Sequence, residues 1–181
     1  EEDAVYVGTR DGRVLELLLV PTSRGGIQPR VGQVFDAQER EEGGDNSRVG
    51  VAFYGTPSLA NGHLYVGSYQ GFVYSLNVSG DRQTLSDVGS FEIDGDKLAK
   101  GISGDIVYAD GALIVAAAEN TASGRMYVLE ADELDANARQ DRIERCRYPA
   151  GHEDGVGRVW SSPIVVDGVA YFGDLEHFVH A

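Results

Sequence analysis

Cysteine is almost missing: Cys146 stands alone in 181 residues, which excludes a disulfide within this chain and leaves its compartment undefined. Lysine is scarce too, with only Lys97 and Lys100 among the 15 basic residues, against 29 acidic ones. The net charge of −14 repels nucleic acid phosphates and anionic lipid headgroups, so nucleic acid is excluded as a partner. No apolar run approaches the roughly 18 residues of a membrane helix, so direct membrane insertion is not expected. The first residues carry neither a basic segment nor an apolar signal core. The chain opens on Glu1, not Met, and is expected to be an excerpt or a processed product whose targeting signal lies outside it. What is plentiful is glycine, 24 residues, within a composition that is 42% hydrophobic and able to bury a core.

The glycines sit in turns, most clearly between Thr56 and Val78 (TPSLANGHLYVGSYQGFVYSLNV). Pro57 to Ala60 reads as a short extended run, and Asn61-Gly62 is the dipeptide best suited to a two-residue hairpin, because both turn residues need positive φ. His63 to Tyr69 is then a second strand. Gln70-Gly71 is the next reversal, Phe72 to Val78 a third strand, and Val88 to Asp94 a fourth. The unit recurs. Ser161 to Val166, the turn Asp167-Gly168, and Val169 to Gly173 repeat its first half. Ile106 to Ala109, Asp110-Gly111, Ala112 to Ala118 and Arg125 to Ala131 repeat it more loosely. Ala4 to Gly8, the turn 10–13 and Val14 to Leu19 supply its second half. Aligning Gly8, Gly67, Ala116 and Gly173 gives spacings of about 50 to 60 residues, the length of propeller blades with insertions.

Nearly unbroken apolar runs, VLELLLV (residues 14–20) and LIVAAA (113–118), predict strands covered on both faces, as in a stack of blades. Pro21 to Pro29 is expected to be a polar connection leading to an outer strand at Val31 to Asp36. The charge-rich stretch 37–50 is expected to be a solvated loop. Residues 131–147 can hold a helical turn or two, with Asp132 or Asp135 as caps, before an outer strand near 143–148.

The sequence offers no catalytic, cofactor-binding or metal-binding constellation. His63, His152, His177 and His180 are scattered, and His177 and His180 would lie on opposite faces of a strand. Asp94-Gly95-Asp96 lacks the remaining ligands of a calcium loop and reads as an exposed turn. Ser161-Ser162 reads as small residues at a crowded axis, and Trp160 as a large side chain wedged between blades, with ligand stacking the alternative. Asn77-Val78-Ser79 fits a glycosylation acceptor that matters only in a glycosylating pathway.

The stretches SSPIVVDGVAYFG (161–173) and TPSLANGHLYVGSYQGFVYSLNVSG (56–80) resemble the repeat of the pyrroloquinoline-quinone (PQQ)-like β-propeller superfamily. Its final element is echoed by Val73 to Asn77 and by Tyr127 to Ala131. The resemblance implies an all-β partial propeller of about four blades of four-stranded antiparallel meanders, in one domain over 1–181. The blades are expected near 1–50, 51–100, 101–150 and 151–181, the first and last incomplete. It also implies a fragment of a seven- or eight-bladed ring, whose remainder is needed for closure. Quinoprotein alcohol dehydrogenases of this superfamily commonly carry vicinal cysteines and a docking tryptophan after a Thr-Gly; this chain has no adjacent cysteines, and no tryptophan follows Ser79-Gly80 or the turn near Glu133. The expected function is therefore that of the non-catalytic branch, which includes an outer-membrane-assembly lipoprotein: a scaffold binding a protein or polymer partner through its loops, without cofactor. The alternative is a fragment of a PQQ- and calcium-dependent alcohol or sugar dehydrogenase. The family's usual location implies a periplasmic or cell-surface setting.

Overall fold

The computed structural model describes residues 3–37, 51–78, 85–95, 100–150 and 156–181, and they form four antiparallel sheets in chain order. The first holds β1 (Asp3–Gly8), β2 (Arg13–Pro21) and β3 (Ile27–Asp36). The second holds β4 (Ser58–Ala60), β5 (His63–Gly67), β6 (Phe72–Asn77) and β7 (Ser86–Glu92). The third holds β8 (Val107–Ala109), β9 (Ala112–Ala118), β10 (Ser123–Glu130) and β11 (Glu144–Tyr148), with the short β12 (Val156–Gly157) beside the start of β10. The fourth holds β13 (Ile164–Val166), β14 (Val169–Gly173) and β15 (Val179–His180). Every sheet is a meander, and the architecture is that of a partial β-propeller.

Three apolar cores lie between successive sheets. Val14 and Phe35 pack against Phe53, Leu64 and Tyr74 between the first two. Tyr65, Val73 and Phe91 pack against Leu113, Val115 and Tyr127 between the second and third. Ile114, Ala116 and Met126 pack against Phe172 between the third and fourth. Strand β9 is accordingly buried at every position, as LIVAAA predicted. Strand β2 differs: Val14, Glu16 and Leu18 are buried, while Leu15, Leu17 and Leu19 are only half-buried. Its apolar run has one covered face: among the described residues no other sheet packs on the side of β1 where Val5 and Val7 are exposed.

Local turn chemistry behaves as the residues dictate. Asn61-Gly62, Asp110-Gly111 and Asp167-Gly168 all have both residues at positive φ, between 48° and 82°, as a type I′ hairpin requires. The reversal from second to third strand also repeats. Thr9 N–H donates to Arg13 O, Ser68 to Phe72 O, Glu119 to Ser123 O and Asp174 to Phe178 O. This pattern makes Ala118, not Ala116, the counterpart of Gly8, Gly67 and Gly173, since it is the residue before the turn.

Three boundaries depart from expectation. Strand β3 starts at Ile27, because Thr22 closes a tight turn with Gly26 and the hairpin zips earlier than the polar composition suggested. Pro29 sits opposite Leu19 in this edge strand, where a missing N–H costs little. Strand β7 ends at Glu92, and Asp94 lies beyond it. In residues 131–147, α1 (Ala131–Asp135) and α2 (Gln140–Ile143) do form, but neither Asp132 nor Asp135 is a cap. The N-cap of α1 is Glu130, without a side-chain bond, and Asp135 turns inward to other partners. The insertion 38–50, Ser79, Asp96 and His152 lie outside the described residues.

Candidate functional site

Asp135 closes α1 and sends its carboxylate between the second and third sheets. Ser75 Oγ donates to its Oδ1 at 2.6 Å, and Tyr65 OH donates to its Oδ2 at 2.9 Å. His63 Nδ1 lies 2.8 Å from the same Oδ2, an ion-pair distance without the angle of a hydrogen bond. Burial, then the Asp135 carboxylate, raises the Tyr65 pKa far above that of a free phenol. Serine, histidine and aspartate thus meet here, but Ser75 gives its proton to the carboxylate and not to an imidazole. A nucleophile needs its hydroxyl facing the base, so the cluster is a clamp between sheets. Sequence reading missed it because Asp135 is 60 and 70 residues from Ser75 and Tyr65.

The C-terminal histidines have separate roles. His177 is in the turn before β15, at φ 75°, and not on a strand. His180 stacks on Phe172 at 4.9 Å and places Nε2 at 2.9 Å from Asp174 Oδ2. Asp174 also accepts the N–H groups of Glu176 and Phe178 on Oδ1 and of Gly157 on Oδ2. Burial alone would raise its pKa, but the bonds from His180, Phe178 and Gly157 outweigh this and bring it to about 2.

A second polar network spans the third sheet. Glu119 and Arg125 are buried together, with Arg125 Nε 3.2 Å from Glu119 Oε1, and Tyr127 OH donates to that oxygen at 2.5 Å. Arg147 covers the Tyr127 ring at 5.2 Å and pairs with Asp94 and Glu144. The Arg147 bond holds the Asp94 carboxyl below its usual pKa. Beside this network a cleft of about 730 Å³ opens between β7 and α2, lined by Phe72, Glu92, Gln140 and Asp141 among others. Gln140 closes the edge of β7, donating to Ser90 O at 3.0 Å and accepting from Glu92 N–H at 2.8 Å. Among the described residues, no three His, Cys, Asp or Glu side chains converge as a metal site.

The inner segments that lead into each sheet carry the remaining candidates. Tyr54-Gly55-Thr56-Pro57, Ser103-Gly104-Asp105-Ile106 and Trp160-Ser161-Ser162-Pro163 occupy equivalent places. Thr56 N–H donates to Asp105 Oδ1 at 2.5 Å, and Asp105 N–H donates to Ser162 Oγ at 2.9 Å, so one segment holds the next. Burial would raise the Asp105 pKa, but the bonds from Thr56 and Ser162 keep it below the usual carboxylate value. Ser161 Oγ is bound twice to the backbone of Gly173. These serines are structural links, and crowding alone does not account for them.

Trp160 is not wedged between sheets. It is 47% exposed, with the Arg158 guanidinium 4.9 Å over its ring. A cationic neighbour and a position ahead of the inner strand leave its other face to solvent. Tyr54, its counterpart in the second sheet, is 52% exposed and meets Tyr69 edge-to-face at 5.4 Å. Both pairs stand at the same end of their sheets, beside the second-to-third-strand turns: Tyr69 N–H bonds to Ala52 O, and Leu175 N–H to Arg158 O. Tyr54, Tyr69 and Arg158 drew no notice in the sequence, although aligning Tyr54 with Trp160 in the repeat would have marked the first.

No family model matches this sequence, and no curated protein matches it. Solved structures do. The quinohemoprotein alcohol dehydrogenase from Comamonas testosteroni is similar with a TM-score of 0.56 and 12% identity, over 93% of this chain and 30% of that one. A europium-containing methanol dehydrogenase is similar at 0.51 and 14% identity, over 75% of this chain and 22% of that one. BamB from Moraxella catarrhalis is matched at 0.40 and 15% identity, over 97% of this chain and 53% of that one. The chain spans less than a third of the length of either dehydrogenase. At this identity the likeness is one of fold, and the fold is that of a β-propeller.

Proposed function

We propose that this chain is a non-catalytic binding module of the propeller, which engages a protein or polymer partner at the end of the sheets where Tyr54, Tyr69 and Trp160 are exposed. The observation that carries the reading is this pair of open aromatic clusters on rigid, hydrogen-bonded inner segments, one of them backed by Arg158. Exposed aromatics supply large contact area at low cost in conformational entropy. The reactive groups elsewhere are consumed in structure: Ser75 on Asp135, Ser161 on Gly173, Asp105 on Thr56 and Ser162. With its single cysteine, Cys146, the chain also lacks the vicinal pair that the resembling dehydrogenases carry.

The test is a titration of the protein with PQQ and calcium, following quinone absorbance and thermal unfolding. No saturable complex is expected. A stoichiometric one would reverse the reading in favour of a dehydrogenase-like role. Trp160, the sole tryptophan, lies in the proposed surface, so its fluorescence reports any partner that binds there.

A further inference from the structure

Strand β7 is the outer edge of the second sheet, and a side chain of α2 meets its outward backbone groups. Gln140 Nε2 donates to Ser90 O at 3.0 Å, and Glu92 N–H donates to Gln140 Oε1 at 2.8 Å. In a parallel ladder one residue gives its N–H to the carbonyl before its neighbour and takes the N–H of the residue after it. The Gln140 amide reproduces that pattern around Phe91, so it stands where one residue of a parallel strand would stand.

As an occupant it is easily replaced. Gln140 is exposed and begins a helix of only 4 residues, and it must fix a long, rotamer-rich side chain to make two bonds. An incoming strand makes the same two and adds others along the edge. The cleft of about 730 Å³ beside β7 gives such a strand room. Its lining is acidic: Glu92, Asp94, Asp141 and Glu144 face one guanidinium, that of Arg147, which Glu144 and Asp94 already share. Glu92 pairs with the buried Lys100, and Asp141 with Arg139. The Asp94 and Asp141 side chains nonetheless stay 64% and 68% exposed, which leaves both carboxylates open to a further cation.

We propose that the β7 edge and this cleft bind an extended, basic segment of a partner protein as an added parallel strand, which displaces the Gln140 amide. The segment's residue opposite Phe91 donates its N–H to Ser90 O and accepts the Glu92 N–H, as Gln140 does in the free protein. Alternate residues of a strand share a face, so the next residue stands beside Glu92 and the one two places further on reaches Asp94. Lysine or arginine at both places meets those carboxylates. The main-chain bonds supply affinity, while the charges select the partner and its direction. The chain's net charge of −14 draws a basic segment in. This surface shares no residue with the exposed aromatics Tyr54, Tyr69 and Trp160, and neither reading depends on the other.

The probe is a fluorescein-labelled peptide of sequence TVTAKTK, its alanine placed opposite Phe91, titrated into the protein and followed by anisotropy. Saturable binding is expected. N-methylation of that alanine removes the donor to Ser90 O, and glutamate in place of both lysines reverses the charge; each should weaken binding about ten-fold or more. Gln140→Ala vacates the edge and should tighten binding about ten-fold, as for an amide that holds the edge roughly nine-tenths of the time. Circular dichroism and the urea midpoint verify that the variant is folded, and the two modified peptides test the wild-type protein without it. No saturable binding, or a Gln140→Ala protein that binds no tighter than wild type, would overturn the proposal. Equal affinity for the N-methylated peptide would overturn it too, since an acidic surface would then be capturing the lysines by charge alone.

Discussion

Gly89→Ala is the sharpest probe of how the second and third sheets meet. Gly89 is buried in β7, directly under the last turn of α1. A Cβ there would stand 3.0 Å from Leu134 C, closer still to Leu134 O, and 3.4 Å from Asn137 Cα. The obstacle is backbone, and it is pinned: Leu134 O accepts the Asn137 N–H at 2.9 Å, and the next residue, Asp135, is held by Tyr65 and Ser75. Either α1 retreats and strains the Asp135 clamp, or β7 slides against β6. Overpacking of this kind costs about 3 kcal/mol at the upper end of its usual range. Against that, alanine lowers the entropy of the unfolded chain and returns about 0.4–1 kcal/mol. The net expectation is a loss of about 2 kcal/mol, or a Tm lower by about 4–8 °C for a chain of this size. Urea denaturation, with the m-value compared between variant and wild type, is the assay. A Gly89→Ala protein as stable as the wild type would mean that α1 does not lie on β7.

Left-handed turn positions give a pair of predictions of opposite sign. Gly168, at φ 77° with open space around it, should lose about 1–3 kcal/mol on substitution by Val through backbone strain alone. His177 sits exposed at φ 75° where Gly12 and Gly71 stand in the equivalent turns, so His177→Gly should gain about 0.5–1 kcal/mol after the entropic cost of glycine. Urea midpoints decide both, and a neutral Gly168→Val or a destabilised His177→Gly would refute the turn assignment. Asp174 supplies a pH prediction. Its folded pKa of about 2 lies below the unfolded 3.8, so the folded state binds fewer protons, and the stabilisation is full above pH 3.8 and lost as pH falls toward 2. Asp174→Asn should remove that part of the acid dependence of the urea midpoint; an unchanged slope between pH 2 and 4 would exclude Asp174 as its source.

Much of the fold was readable because it is local. Asn61-Gly62, Asp110-Gly111 and Asp167-Gly168 adopt positive φ for reasons confined to two residues, and these hairpins set strand register on either side. Runs such as Ala112 to Ala118, too short and too evenly apolar for an exposed sheet, required cover on both faces and received it. The candidate site was less legible. Trp160 was expected between sheets from its place just before Ser161-Ser162-Pro163, yet whether a large ring is enclosed depends on what stands beside it, and here that is Arg158 and solvent.

Long-range placement was the work of the tertiary structure. Nothing near Asp135 in the sequence distinguishes a helix cap from a carboxylate that gathers Ser75, Tyr65 and His63, because its partners arrive only when two sheets stack. Glu16 interrupts an apolar strand, and its reason appears only across the hairpin, where it accepts the Gln33 N–H at a break in register and occupies space that Gly32 leaves open. Glycines look alike in sequence, but Gly168 is required by its own φ and Gly89 by a carbonyl of α1. The first requirement is a property of one residue's backbone, which its neighbours in the chain reveal. The second is a distance between surfaces, and it exists only once the sheets have packed.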